Sequence, residues 1–313
     1  MTRAFVFPGQ GSQTVGMGKD LAENFPAAKA VFEEVDAALG QNLSKIMFEG
    51  PNEDLVLTEN TQPALLACSI AVLRVLQSEG GFDLAAAGRF VAGHSLGEYS
   101  ALCAAQAFPL AVAARLVKTR GKAMQEAVPV GQGAMAALLG LEAADAEAIA
   151  AEASQGEVCN FANDNASGQV VVSGAVAAVE RAIDLAKQRG AKRAVLLPVS
   201  APFHCAMMQP AADVMAAALA ETDIQDPVLP LVANITASQV TQAAQARELL
   251  IQQVCGRVRW RESVLYMKAQ GVSELIEIGH GKVLAGMARR IDPDMGARAV
   301  GSADSIDEFI KSL

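Results

Sequence analysis

Val91-Ala92-Gly93-His94-Ser95-Leu96-Gly97-Glu98-Tyr99-Ser100 decides the fold. It reads as the end of an apolar strand, a Gly-x-Ser-x-Gly corner and the start of an alanine-rich helix, the sequence form of a nucleophile elbow. Gly93 and Gly97 let strand and helix cross closely with no Cβ between them. Ser95 is then held on a strained corner at the end of a sheet, and the N–H of Leu96, at a helix N-terminus, is placed to stabilise an oxyanion. By itself the motif also fits a plain tight turn, and a chain with 26 glycines matches it by chance easily enough. What separates the two is whether the rest of the chain supplies the partners of a nucleophile.

Working outward, Ala4-Phe5-Val6-Phe7 is a continuous apolar run closed by Pro8-Gly9, the pattern of a buried parallel strand. The loop Pro8 to Gln13 imitates a phosphate-binding glycine loop without meeting either form. Thr14 stands where the third glycine belongs, and Met17 replaces the P-loop lysine. Helical patterns fill roughly 17 to 80, with Thr61 as the expected N-cap of a helix over about 62–80. The elbow strand, its helix and a helix opened by Pro109 follow. Residues 126–200 change rhythm to βαββαβ, the order of a ferredoxin-like module. There Asn163-Asp164-Asn165 reads as the link between two strands. After 200 alternation resumes, with strands at 229–232 and 275–278. The expectation is a larger α/β-hydrolase-like domain with a parallel sheet, residues 1–125 and 201–313, carrying a small ferredoxin-like insert, residues 126–200.

Composition narrows the function. The 25 basic and 34 acidic residues give a net charge of −9, which disfavours nucleic-acid binding. Five scattered cysteines without a Cys-x-x-Cys pair offer no zinc or redox motif and fit a reducing cytoplasm. No leader or membrane span is read from the apolar pattern, so the expected location is cytoplasmic, with no membrane partner and no metal.

A nucleophilic serine needs a base, and there are three histidines. His94 neighbours Ser95 on an extended segment and points the opposite way. His280, between Gly279 and Gly281, reads as a turn residue. His204 follows a strand and a Pro-broken loop, where the active crevice of a parallel sheet forms, and is the best candidate base. On the helix from Pro109, about 100° per residue puts Arg120 at the centre of the apolar face, among Leu116, Ala113, Val117, Ala123 and Met124. A guanidinium there requires an anion. Either a core carboxylate or a substrate carboxylate would serve.

These features coincide with a family. Phe7 to Gln13, Thr61-Gln62-Pro63-Ala64, Gly93 to Tyr99, Arg120 to Gln125, Gly168 to Val171, Pro198 to His204 and Glu277 to Leu284 resemble, in order over nearly the whole chain, the malonyl-CoA:acyl carrier protein transacylases. The resemblance implies Ser95 as the acylated nucleophile and His204 as its base. It implies an oxyanion hole from the backbone N–H groups of Gln10 and Leu96, and Arg120 as partner of the malonyl carboxylate. Gln253 would orient His204 through its backbone carbonyl, in place of an acidic third member. Phe203 resembles the malonyl-preferring pattern. Ala201-Pro202-Phe203 departs from the commoner Val-Pro-Ser, and His280 stands where proline or alanine is usual; neither removes a catalytic group.

The activity implied is ping-pong transfer of malonyl from coenzyme A to the phosphopantetheine thiol of acyl carrier protein, for fatty acid biosynthesis. It implies no bound cofactor and a monomer. The alternatives are a serine thioesterase or carboxylesterase on the same elbow, or a free-standing acyltransferase of polyketide synthesis. For the anionic partners the candidate basic patches are Lys192 with Arg193, the run Arg257, Arg259 and Arg261, and Lys282 with Arg289 and Arg290.

Overall fold

The computed structural model describes residues 2–313; Met1, the first residue of the segment read above as lacking a leader, lies outside them. Among the described residues ten strands form two sheets: β1 Arg3–Phe7, β2 Gly88–Gly93, β3 Gly133–Leu139, β4 Cys159–Ala166, β5 Gln169–Ala175, β6 Arg193–Leu196, β7 Leu231–Val232, β8 Gln239–Val240, β9 Glu274–Ile278 and β10 Gly296–Val300. The larger sheet has the order β10-β9-β1-β2-β7-β8 and the smaller β4-β5-β3-β6.

β1 sits at the centre because it is apolar on both faces. Phe5 and Phe7 face one side core and Ala4 and Val6 the other, and all four are buried. Two-sided burial of this kind belongs to a parallel sheet covered by helices. β10, β9, β1, β2 and β7 run parallel. Their C-terminal ends therefore open on one edge, where the loops after β1, β2, β7 and β9 gather. The helix Thr58–Gly80 lies across one face and is buried continuously from Asn60 to Leu73, which accounts for its apolar character on all sides.

The smaller sheet is antiparallel throughout. With helices Ala143–Ser154 and Val176–Gln188 it closes a core of its own around Leu138, Ile149, Phe161, Val172 and Val179. This is the βαββαβ order of a ferredoxin-like unit.

Several expectations are corrected. The helix expected over 62–80 starts at Thr58, about one turn before Thr61. Thr61 does not cap it; its hydroxyl donates to Leu55 O at 2.6 Å, tying the first turn to the preceding segment. The large sheet is not wholly parallel, because the two-residue β8 pairs antiparallel with β7 at the edge. Asn163-Asp164-Asn165 is not a link. β4 runs through it with two bulges, and its outer edge is held by exchange with Val258: Asp164 N–H donates to Val258 O, and Val258 N–H to Ala162 O, both at 2.9 Å. Arg261 then grips the buried Asp164 carboxylate through Nε at 3.0 Å to each oxygen. β10 and the helix Ala303–Ile310 went unread because Gly296-Ala297-Arg298-Ala299-Val300 offers no apolar run and is only an edge strand.

The crossing at the elbow is as tight as the two glycines imply. A Cβ on Gly93 would lie 1.9 Å from the carbonyl carbon of Gly97, and one on Gly97 2.2 Å from Phe7 O. Gly93→Ala is therefore expected to lose about 3 kcal/mol or more of unfolding free energy, at the upper end of single-substitution effects. Urea denaturation measures this, and a loss under about 1 kcal/mol would mean the crossing can relax.

Candidate active site

The β2 strand ends at Gly93, and the helix Gly97–Ala104 begins two residues after Ser95. Ser95 has φ +53°, a left-handed conformation that a serine adopts only under constraint. Its Oγ is 2.7 Å from His204 Nε2. His204 also has positive φ, +57°, in the turn before the short helix Ala206–Met208. Its Nδ1 faces two carbonyl oxygens, Gln253 O at 2.9 Å and Gly256 O at 3.1 Å. A nitrogen between two acceptors carries the proton, so Nδ1 donates and Nε2 is left to accept from the Ser95 hydroxyl. That tautomer suits a general base.

Burial, and next the cation of Arg120, push the His204 imidazole down to about 3. It is therefore neutral over the physiological range. His94 turns away from this pair: its Nε2 lies 2.8 Å from Asn165 Oδ1 on β4. His280 Nε2 meets Thr14 Oγ1 at 2.8 Å, in a turn, as its glycine neighbours indicate.

Arg120 is 1% exposed. Nη1 donates to Gln62 Oε1 at 2.8 Å, and Nη2 to Gln253 Oε1 at 2.9 Å and to Ser95 Oγ at 3.1 Å. Nε has no partner, and the Tyr99 ring lies 5.7 Å from the guanidinium carbon. Every hydrogen-bond partner of this cation is neutral. Glu98 acts on it at longer range, through Gln253, whose Nε2 donates to Glu98 Oε2 at 3.0 Å. Of the two readings the sequence left open, a direct ion pair with a core carboxylate is absent among the described residues.

Gln10 follows β1, and His94 N–H donates to Phe7 O at 3.1 Å, so this loop starts beside the elbow. Among the described residues, neither Gln10 N–H nor Leu96 N–H donates to a protein acceptor. Both residues line a cleft of about 620 Å³ between the two sheets, together with Ser95, Arg120, Phe203 and His204. The structure thus brings Ser95, His204, Arg120, Gln10, Leu96, Phe203 and Gln253 together. The sequence reading missed Gln62, Glu98 and Asn234. Gln62 and Glu98 lay inside quoted motifs without a role assigned. Asn234 follows β7 at the same C-terminal edge, a position that the crevice rule for parallel sheets points to.

A family model for the acyl transferase domain matches residues 4–305. The malonyl CoA-acyl carrier protein transacylase of Escherichia coli is 48% identical over 303 residues, 97% of each chain. The crystal structure of acyl-carrier-protein-S-malonyltransferase from Bartonella henselae is 54% identical, with TM-score 0.97, covering 100% of this chain and 99% of that one. A malonyl-transacylase solved in complex with its type II PKS acyl-carrier protein is 44% identical, with TM-score 0.96 and full coverage of both chains.

A histidine that stays neutral to about pH 3 when folded keeps its accepting nitrogen where an ordinary imidazole would be protonated. Labelling of Ser95 by a fluorophosphonate should therefore hold its rate from about pH 8 to pH 5. Arg120→Gln removes the second cause of the depression, so its acid limb should move to higher pH. The unfolded chain takes up this proton near pH 6.5 and the folded one only near 3, so the neutral histidine stabilises above 6.5 and that contribution is lost as pH falls toward 3. A labelling limb at pH 6 to 7 in the unaltered protein would contradict the assignment.

Proposed function

The chain belongs to the acyl transferase domain family and, within it, to the malonyl-CoA:acyl carrier protein transacylases; from that premise we propose how its residues carry the reaction. The enzyme moves a malonyl group from coenzyme A to the phosphopantetheine thiol of acyl carrier protein, by ping-pong transfer, supplying fatty acid biosynthesis.

In the first half-reaction the Ser95 hydroxyl attacks the thioester carbonyl while His204 Nε2 takes its proton. The tetrahedral oxyanion is held by the N–H groups of Gln10 and Leu96, each such donor being worth roughly 3 kcal/mol of barrier. The intermediate collapses, the carbon–sulfur bond breaks, and coenzyme A leaves as a thiol with the proton from His204. The carrier thiol then enters, gives its proton to His204 and attacks the malonyl ester, and Ser95 recovers its hydrogen as malonyl departs. His204 is kept in the right tautomer by Gln253 O, a role that elsewhere falls to an aspartate. Here the imidazolium formed in mid-reaction has no carboxylate behind it, which favours early return of the proton to the leaving thiol.

The observation that carries the reading is Arg120. A buried guanidinium with only neutral partners, one hydrogen bond from the nucleophile, lacks an anion that a substrate carboxylate would provide. A plain esterase has no use for it. Phe203, 7% exposed, closes the cleft beside His204 and limits the acyl group.

The division at 126–200 is retained as the insert boundary, supported by the separate core of the smaller sheet. No helix among the described residues is long and apolar enough to cross a membrane. All five cysteines carry free thiols, which supports a reducing, cytoplasmic location. For the anionic partners, the run Arg257, Arg259 and Arg261 is a poor docking patch, since each pairs with an acidic residue. Lys192, Arg193, Lys282, Arg289 and Arg290 carry no salt bridge among the described residues; of the two groups, Lys282 adjoins Val283 at the cleft, so we assign Lys282, Arg289 and Arg290 to these partners.

Brief mixing with malonyl-CoA should give a malonyl adduct on Ser95 by intact-protein mass spectrometry, discharged by phosphopantetheinylated carrier protein and absent in Ser95→Ala. Rapid discharge by water alone would turn the reading to a thioesterase. Arg120→Ala should lower kcat/KM for malonyl-CoA about 30-fold or more, the ~2 kcal/mol that loss of a buried charge partner removes at the least. The same variant should gain acetyl-CoA as a donor. An unchanged preference between the two donors would make Arg120 structural only.

A further inference from the structure

Ser95 is held by more than its place on β2. Its N–H donates to Asn234 Oδ1 at 2.8 Å. Asn234 Nδ2 donates to Gly93 O at 2.7 Å, so one side chain brackets the strained peptide between Gly93 and Ser95. On the other side, Ser95 O accepts from Gln253 Nε2 at 3.0 Å. The two holders share an anchor. Glu98 Oε2 accepts from Asn234 N–H at 2.9 Å and from Gln253 Nε2 at 3.0 Å. Arg259 N–H donates to Asn234 O at 3.1 Å, so all four polar atoms of Asn234 are engaged, and the residue is fully buried.

This arrangement has a chemical consequence. A serine N–H at an elbow is a candidate oxyanion donor, and here it is already committed to Asn234. Among the described residues, that leaves Gln10 N–H and Leu96 N–H, cleft-lining donors without a protein acceptor, for the reacting carbonyl. We propose that Asn234 is a positioning residue for acylation: it holds the left-handed Ser95 peptide and diverts its N–H from the oxyanion, with Glu98 as the common anchor that couples this hold to Gln253. The proposal rests on Ser95 being the nucleophile. It adds a reason for the network's composition. An asparagine supplies an acceptor for Ser95 N–H and a donor for Gly93 O from one planar group, which leucine or an ionised aspartate does not.

Titratable groups surround it. Glu98 accepts the Asn234 N–H. His204 and Arg120 each lie one hydrogen bond away across Ser95. The guanidinium of Arg259 turns to Ile235 O and Glu262. An aspartate placed at 234 would meet burial, which raises its pKa, and the Glu98 carboxylate, which raises it further where ionised, against the lowering pull of the Arg120 cation and of the Ser95 N–H. When protonated, that aspartic acid reproduces the asparagine: its carbonyl accepts from Ser95 and its hydroxyl donates to Gly93 O. When ionised it loses the donor.

The test uses the full-length protein, with Ser95 labelling by a fluorophosphonate and the malonyl-serine burst as readouts, and thermal melting at each pH to confirm folding. Asn234→Ala should slow both by roughly tenfold to hundredfold, the scale of a misplaced reacting group. KM for malonyl-CoA should stay within about twofold, because Arg120 and the cleft remain. Asn234→Asp should approach the unaltered rate near pH 6 and fall away by roughly tenfold toward pH 9, relative to the unaltered protein. If Asn234→Ala does not fold, the pH profile of Asn234→Asp carries the test by itself. Both variants labelling at the unaltered rate would overturn the proposal. So would an Asn234→Asp deficit that is constant with pH, which would mark a packing role. Absence of any Ser95 adduct in the unaltered protein would instead overturn the functional reading beneath it.

Discussion

A strand and a helix cross at Gly93 and Gly97 with no room for a methyl group, and the rest of the site depends on that crossing. It drives the chain through a left-handed turn at Ser95. A single left-handed residue of this kind costs about 1–2 kcal/mol, held in place by neighbours that cannot move independently. The loop after β1, the segment after β7 and the helix Ala243–Cys255 all meet the elbow at the C-terminal edge of the sheet. A parallel sheet makes this possible, because its strands end together and their loops converge.

The charges are arranged around the same corner. Arg120 and Glu98 are both nearly inaccessible to solvent and do not touch. Gln253 stands between them, accepting from the guanidinium and donating to the carboxylate. Burial raises the Glu98 carboxyl to about 7, against the opposing pull of its hydrogen bonds and of Arg120. A direct pair would have neutralised Arg120 and left it nothing to offer an incoming anion. Separation through an amide keeps the cation fixed in direction and still lacking a close counter-charge. After burial, the same cation is what suppresses protonation of His204, so in the proposed mechanism one residue serves both the substrate carboxylate and the base.

The smaller sheet supplies a wall of the cleft. Asn163, Asn165 and Val171 face it from β4 and β5, and His94 reaches across to Asn165. The backbone exchange with Val258 and the Arg261 grip on Asp164 fasten this wall to the 258–261 segment, whose Val258 and Trp260 share a core with Ala4 and Val6 of β1.

What the sequence determined by itself was local or strongly patterned. The elbow, the buried central strand, the βαββαβ order and the placement of Arg120 on an apolar helix face each follow from the period of a single segment. So do His94 pointing away from Ser95 and His280 lying in a turn. The helix start at Thr58, the antiparallel β8, the edge strand β10 and the passage of β4 through Asn163-Asp164-Asn165 were decided by tertiary contacts that override local propensity. Glu98, Asn234 and Gln62 show the same limit at the site. Each is an ordinary polar residue in sequence, and each acquires meaning only from a partner at long range: Asn234 binds Ser95 139 positions away, and Gln62 binds Arg120 58 positions away. Periodicity reports which face of an element is buried. It carries no information about which polar atoms meet there, because that depends on how separate elements are brought to one edge of the sheet.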